Sequence, residues 1–467
     1  MPAITTSATR EIIDDFAQEI QHRLTKTPKP SMEVINFRNE TKEKRERPIV
    51  SVPIEILRYR KNNGRIASDV LDHERNVGML DEKDELSQET IRDFLEKKDP
   101  ERTEVLKKDI IHKGQREPAI ITCDGFLVNG NRRKMVLQML QHEFPNEDEY
   151  RFMNVVILPG KNEEGGPPTL LEIEQIENRY QLQSDGRSEY YGFDRALSIE
   201  RKIEFGFSLE AQLRDDPQYV NGTPKEIKIA VKEYQKKYIQ PLRCVDRYLA
   251  QFGREGLYRT ISTGMSDPEG RWQAFIDYSN AYMSIFSNPK NLLKFGIEED
   301  EIGEIEEAAF DIIRLRTVPD MPKVHTIMRN LPKYCRTNEG KNAIKSIAQK
   351  VGPILSSEES IDENGKHLSI QEIDAKWAAK NIETITYHIK TASRSHESLK
   401  ERETPLELLE AAYKKLTHED MDLESIAIND LDKARKLAVK VKNRASDLES
   451  QIYHFKKDLK RLKNKKS

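Results

Sequence analysis

From Leu431 to Leu462, apolar residues recur at alternating spacings of three and four: Leu431, Ala434, Ala438, Val441, Ala445, Leu448, Ile452, Phe455, Leu459 and Leu462. This a/d seam holds over four heptads and predicts one long amphipathic helix. Such a stripe packs either on a second copy of the chain or on its own protein, and the pattern leaves both open. The helix runs into "KKDLKRLKNKKS", with seven basic side chains and one acidic. That end is either a solvated tail or a contact for nucleic-acid backbone.

The other period in the chain is two, and it is confined to the N-terminal part. "PIVSVPIEILRY" alternates β-branched and polar residues as a half-buried strand does. "PAIITCDGFLVNG" has two apolar runs joined at Asp124-Gly125 and predicts a β-hairpin. "RFMNVVILPG" supplies a further strand. Helices are expected between them. Ser87 is placed to cap "QETIRDFLEKK", and "RTEVLKKDIIHKG" stops at Gly114, where a left-handed C′ residue is common. A helix from Asn131 to about His142 follows the hairpin, and Thr169 caps "LLEIEQIENRYQLQ".

After residue 186 strand signals nearly vanish. Thr223-Pro224-Lys225-Glu226 is a capping box with proline at the first helical position, so "KEIKIAVKEYQKKY" is helical. "EIEEAAFDIIRLR", "NAIKSIAQKVG" and "SIQEIDAKWAAKNI" continue the helical pattern, with "SEESIDENGKH" as an acidic turn. The charged stretch "HESLKERET" reads as a connection before the last segment. The fold class is therefore α+β: a small mixed domain, then a mainly α-helical region ending in the long heptad helix. The expected boundaries are an N-terminal helix and charged linker at 1–48, the mixed domain at 49–200, a helical domain at 201–395, and a coiled-coil segment with its basic tail at 396–467.

Composition narrows the function. Charged residues make up 34% and hydrophobic ones 36%, as in a surface-rich helical protein. The net charge of -3 means that any phosphate or nucleic-acid site is a local patch. Cys123, Cys244 and Cys335 are far apart, lack metal spacing and fit a reducing compartment. No apolar run is long enough to span a bilayer, and "MPAITTSATREIIDDFAQEI" reads as neither a signal nor a transit peptide. The expectation is a cytoplasmic protein that is not in the membrane.

One junction carries candidate chemistry. In "VNGNRRKMVL", Arg132 and Arg133 stand where a strand turns into a helix, and a helix N-terminus favours anions. Two guanidiniums there suit phosphate or carboxylate; the alternative is that both point into water. The junction belongs to an ordered series: "EILRYRKNNGR", then Gly114 with Pro118, then Gly130-Asn131-Arg132-Arg133, then Glu177-Asn178 in "QIENRYQLQ". This succession resembles the N-terminal domain of the ParB/sulfiredoxin superfamily over roughly residues 49–200.

The resemblance implies a nucleoside triphosphate, CTP or ATP, held with Mg²⁺. It places Gly130, Arg132 and Arg133 at the phosphates, and Gly114 and Gln115 along the nucleotide. Arg65 matches the arginine that closes the first box. Glu177 and Asn178 approach the phosphates and metal, with Glu177 the candidate catalytic residue and Mg²⁺ ligand. Asn131 stands where ParB has glutamate and where sulfiredoxin has its catalytic cysteine, which argues against sulfinic-acid reduction. Gln181 replaces the arginine of the last box. ParB proteins continue into a DNA-binding region, which assigns DNA contact to Lys225, Lys228 and Lys232; a core-packing helix with a lysine-rich outer face is the other reading.

Three functions stay open on these grounds. The first is a nucleotide-switched, DNA-associated protein linked to partition, mobile elements or phage defence, with a homodimer through the heptad helix. The second is an enzyme on the same fold: an NTPase, phosphotransferase or nuclease. The third is a helical scaffold whose α/β part has lost its ligand.

Overall fold

The computed structural model describes residues 9–26, 31–35, 38, 46–182, 192–216, 218, 219, 221–261, 271–352, 368–419 and 421–464. The chain divides into two compact units, Met1–His396 and Glu397–Ser467.

The first unit opens with α1 (Asp14–Lys26), β1 (Met32–Val34) and β2 (Glu46–Pro53). Short 3-10 turns at Ile54–Ile56 and Gly64–Ile66 lead to α2 (Ala67–Asn76), α3 (Glu85–Lys98) and α4 (Pro100–Lys113). Then come β3 (Ala119–Ile121), α5 (Asn131–Glu143), β4 (Phe152–Ile157) and α6 (Leu170–Leu182). The strands form one mixed sheet in the order β1-β2-β4-β3, with β2 antiparallel to both neighbours and β3 parallel to β4.

The period of two sorts the sheet residues into two cores. Val50 is paired with Val155 and Val52 with Met153; together with Ala119 and Ile121 they pack on Ile91 and Leu95 of α3, Ile110 of α4 and Met135, Val136 and Leu140 of α5. Ile49, Val156 and Ile120 face the other way, onto Ile173 and Ile176 of α6. The sheet thus lies between helices on both faces. β1 is a strand that the sequence pattern did not signal. The second arm of the expected hairpin is reduced to single bridges, Ile121 with Leu127 and Arg58 with Phe126, around a turn in which the Gly125 N–H donates to the Thr122 carbonyl.

Helix starts follow the capping chemistry, with one shift. The Asp84 carboxylate accepts from the Ser87 N–H at 3.0 Å, so α3 starts at Glu85 and Ser87 lies inside it rather than capping it. Asp99 caps α4 in the same way, accepting from the Arg102 N–H, with Pro100 as the first helical residue. Thr169 and Glu172 exchange hydrogen bonds at the head of α6, and Thr223 and Glu226 do so at the head of a later helix.

The rest of the unit is helical, and no strand follows Ile157 among the described residues. It comprises α7 (Gly192–Glu204), α8 (Leu209–Arg214), α9 (Pro224–Tyr234), α10 (Gln240–Gln251), α11 (Arg271–Ala281), α12 (Pro289–Phe295), α13 (Ile302–Leu315), α14 (Val324–Tyr334), α15 (Asn338–Lys350) and α16 (Ile370–Leu416). A π-type turn at Gln235–Ile239 joins α9 to α10 without a break. Tyr248, Phe275, Phe310 and Trp377 belong to this third, larger core.

The second unit holds α17 (Leu431–Asn464), the helix expected from the heptad seam, and the residues of α16 beyond His396. "HESLKERET" is therefore helix rather than connection. Its Glu, Lys and Arg residues are good helix formers, and α16 continues through Pro405. On the heptad seam Leu431, Val441, Ile452, Phe455 and Leu459 are exposed, and Ala434 and Leu448 are half-buried. The last part of the basic tail lies outside the described residues. No helix among the described residues is long and apolar enough to cross a membrane.

Candidate anion-binding site

Gly130 determines how α5 meets the sheet. Its φ of 82° suits glycine, and a Cβ there would lie 2.8 Å from the Ala119 Cβ and 3.0 Å from the Met153 Cε. The missing side chain lets the helix N-terminus close onto β3 and β4. The intrahelical ladder begins with the Lys134 N–H donating to the Gly130 carbonyl, so the N–H groups of Asn131, Arg132 and Arg133 precede it. Asn131 is buried, and its Oδ1 has no hydrogen-bond partner among the described residues.

Both arginines of the box are engaged within the chain. Arg132 donates from Nη2 to Oδ2 of Asp99 at 3.2 Å, and Asp99 is 1% exposed. Arg133 donates to the Glu117 carbonyl and lies 3.9 Å from the Glu117 carboxylate. Burial lowers the Arg133 pKa to about 10. Gln115 reaches the same Glu117 carbonyl at 2.9 Å and exchanges two further hydrogen bonds with the Asn154 backbone on β4. Gly114, with φ 67°, ends α4 just before it. Gln115 and Arg133 thus share the Glu117 carbonyl near the head of α5, and Gly114 directly precedes Gln115 in the chain.

The remaining predicted residues form a second group. Arg65 is half-buried in the turn before α2, and the N–H of the adjacent Gly64 donates to Glu177 Oε1 at 3.4 Å. Asn178 takes a hydrogen bond from Lys202 Nζ at 3.1 Å and donates to the Gln212 carbonyl. Lys98 and Asp99 tie the first group to α2 and α7. Asp99 holds Arg132, while Lys98 reaches Ser68 and Asp69 on α2 and Asp194 on α7.

Glu177 sits in a cationic setting that sequence spacing did not reveal. Its Oε2 lies 3.9 Å from Arg60 and 3.6 Å from Arg201, and those arginines also bind the buried Glu174 at 3.2 and 2.9 Å. Burial would raise the Glu174 carboxyl, but Arg201, Arg60 and Lys202 outweigh it and hold it below its usual range. A carboxylate between two guanidiniums is a poor ligand for a divalent cation, which needs several oxygens free of competing cations. Among the described residues no group of three or more His, Cys, Asp or Glu side chains is placed to hold a metal. The residues therefore do not fit a protein-held Mg²⁺.

Lys134, next to the paired arginines, was not singled out by the sequence. Its Nζ is buried, donates to the Leu57 carbonyl at 2.6 Å and stands 4.0 Å over the Tyr59 ring. Burial lowers its pKa to about 7, aided by Arg58. A lysine directly after two arginines looks like a third anion ligand, yet this one is spent on the core. Cys123 on the hairpin turn is buried with its thiol raised to about 11, mainly by burial, which leaves it largely protonated and unreactive at neutral pH.

Lys225, Lys228 and Lys232 are exposed on α9, while Ile227 and Ala230 of the same helix are buried. The lysine-rich face is real, and residues 215–223 separate α9 from α8. No protein-family model matches the chain, and no curated protein and no solved structure matches it.

Proposed function

We propose that the sheet-bearing half binds a nucleoside triphosphate, CTP or ATP, at the head of α5, and that binding switches association of the protein with DNA. The observation that carries the reading is the Gly130 junction. There a glycine that tolerates no side chain delivers a helix N-terminus whose first turn bears Arg132 and Arg133. Helix dipole and guanidiniums act on one anion there. Phosphate would replace Asp99 as the partner of Arg132. Asp99 caps α4 and adjoins Lys98, which is tied to α7, so that exchange has a physical route into the helical body. Any Mg²⁺ would arrive on the phosphates of the nucleotide. The exposed lysines of α9 supply the surface for DNA backbone, and a second copy covers the heptad stripe of α17.

The experiment is a binding titration of the purified protein with ATP, CTP and GTP in the presence of Mg²⁺, with and without duplex DNA, repeated on Arg132→Ala/Arg133→Ala. Saturable binding of one nucleotide that the double variant loses, together with a nucleotide-dependent change in DNA affinity, is the expected result. Equal affinities in both proteins would sink the site.

A second reading is favoured by a specific observation: the site is already internally paired. Arg132 has Asp99, Arg133 has Glu117, and Glu177 has Arg60 and Arg201. On this reading the α/β part is a structural module within a helical scaffold. It predicts no nucleotide binding and a loss of stability in the same double variant.

A further inference from the structure

The apolar seam of α17 is lopsided. Its first half carries Ala434, Ala438 and Ala445, and its second half carries Leu448, Ile452, Phe455 and Leu459. The alternation of spacings fixes the register, because the step of three runs from position a to position d. Ala438, Ala445, Ile452 and Leu459 are thus a residues, and Ala434, Val441, Leu448 and Phe455 are d residues. Ala434 and Leu448 are half-buried and the other six are exposed, so the described chain leaves both halves of the stripe largely uncovered.

Paired helices lie about 8–10 Å apart, and the side chains at the contact set the distance. In a parallel pair in register, every residue meets its own counterpart. Alanine layers would draw the axes together in one half, while leucine, isoleucine and phenylalanine layers would hold them apart in the other. Two straight helices do not satisfy both, and the alanine layers are left with voids. Reversing one helix removes the conflict. The seam then maps onto itself end for end, with Ala434 opposite the partner's Leu459 and Ala438 opposite the partner's Phe455. Val441 meets the partner's Ile452, and Ala445 meets the partner's Leu448. Each of these layers holds one smaller and one larger side chain, which keeps the separation even along the seam.

Neither flanking charge nor the preceding helix outweighs this fit. Parallel helices would set Arg444 beside the partner's Glu449 and Asp430 beside the partner's Arg435. Antiparallel ones set Lys442 beside the partner's Glu449, but Arg435 beside the partner's Lys456. Such pairs lie at the exposed rim, where each is weak and screened by salt, whereas a void in the seam costs the same at every ionic strength. The distal part of α16 has an exposed seam of its own in Leu406, Leu409, Tyr413 and Leu416. It is interrupted upstream at Arg402, and beyond that the same face is buried in the first unit at Ala392 and Ser395. It is therefore much shorter than α17 and would leave Ile452, Phe455 and Leu459 bare. A second α17 matches the stripe in length.

We propose that α17 pairs antiparallel with α17 of a second copy, centred between Ala445 and Leu448, so that the alanine half of each helix receives the large residues of the other. The inference rests on the reading that a second copy covers this stripe, and it adds the direction of pairing. The contact is isologous and closes on itself. Direction determines what the dimer can reach. A helix of 34 residues is about 50 Å long, so the two Leu431 ends stand at opposite ends of the rod. Each of those ends is joined to α16 by residues 417–430. The two copies leave the rod in opposite directions, and the pair acts as a spacer that bridges two sites rather than a clamp that closes on one.

The test is pulsed electron paramagnetic resonance on the full chain at high salt, spin-labelled through Lys436→Cys or Lys457→Cys. Both positions are exposed and stand at f, away from the seam, and the native Cys123, Cys244 and Cys335 are buried. The parent, treated in the same way, is the control. In the antiparallel dimer Lys436 lies opposite the partner's Lys457. Each singly labelled protein should then give an intermolecular distance of about 40 Å, from the rise per residue and two helix widths. An equimolar mixture of the two should add a distance below about 25 Å. A distance below about 25 Å from Lys436→Cys alone means parallel pairing; it overturns the direction and leaves the dimer standing. No intermolecular distance from any sample overturns the inference and the reading of the stripe together. A dimer that survives Ile452→Glu/Phe455→Glu is held by α16 or another surface, and that also overturns the proposal.

Discussion

Arg132 Nη2 donates to Asp99 Oδ2 at 3.2 Å, so one of the two guanidiniums that the sequence offers to a ligand already has a carboxylate inside the chain. Asp99 does two jobs, since its other oxygen caps α4 through the Arg102 N–H. The two jobs can be separated. Asp99→Asn keeps a cap acceptor and removes the charge that competes with phosphate. It should raise nucleotide affinity several-fold, whereas Arg132→Ala should abolish detectable binding. Arg132→Ala should also cost about 1–3 kcal/mol of stability, because it strips a buried carboxylate of a cationic partner. Titration and urea melts of the two variants decide. If Asp99→Asn binds less tightly than the parent, the carboxylate orients the arginine rather than competing for it.

The two glycines of the site differ in a way that substitution can read. At Gly114 a Cβ meets nothing within 4 Å, so only the backbone conformation opposes a side chain. Gly130 is left-handed helical (ψ 9°), a milder backbone cost than the ψ of -169° at Gly114, but it adds contacts of 2.8 and 3.0 Å with Ala119 and Met153. Gly114→Ala should cost about 1–3 kcal/mol from the backbone alone, and Gly130→Ala about 2–4 kcal/mol, mostly from overpacking. Denaturant midpoints measured side by side test the ranking. Equal losses would mean that the sheet yields easily beneath α5.

Much of this arrangement could be read from the sequence, for reasons that are local. Gly114 ends α4, Thr223 and Glu226 form a capping box, and the seam from Leu431 onwards is one helix, because each depends on residues within a turn or a heptad. β1 was not legible, since three residues pairing with Glu46–Pro48 carry too little pattern. The cap of α3 was misplaced by three residues because Asp84 and Ser87 are both good cap residues and only the carboxylate makes the bond. The ion networks left no trace. Asp374 is 60 residues from Arg314 and 120 from Arg254, and Glu177 is far in sequence from Arg60, so no spacing could announce those contacts.

Lys134 provides a pH signature of the buried box. Its pKa falls from 10.5 in the unfolded chain to about 7 in the folded one. Between those values the unfolded state binds the proton and the folded state does not, so stability rises with pH across that window. The contribution is fully present above 10.5 and is lost as pH falls to 7. Lys134→Met removes the titrating group. The parent should therefore gain about 2 kcal/mol relative to the variant between pH 7.5 and 9.5. Parallel stability curves for the two proteins would mean that the ammonium stays charged over the Tyr59 ring.

The heptad stripe of α17 settles between its two readings by experiment. Leu431, Val441, Ile452, Phe455 and Leu459 are 47%, 40%, 52%, 67% and 46% exposed, so the described chain leaves the seam largely uncovered. An a/d seam along a helix of 34 residues is long enough for a stable two-stranded pairing, and burying it is worth roughly 1.5–3 kcal/mol per large side chain. Repulsion opposes this, because Lys and Arg outnumber Asp and Glu along the helix. Association should accordingly strengthen as salt rises, the reverse of what an interface held by ion pairs would do. Ile452→Glu/Phe455→Glu places charges in the seam without touching a packed core. Light scattering should find the parent dimeric, and the dimer fraction should grow between low and high ionic strength. The variant should be monomeric at both, with an unchanged melting profile for the rest of the chain. A parent that remains monomeric at high salt would leave the seam to a partner other than a second copy.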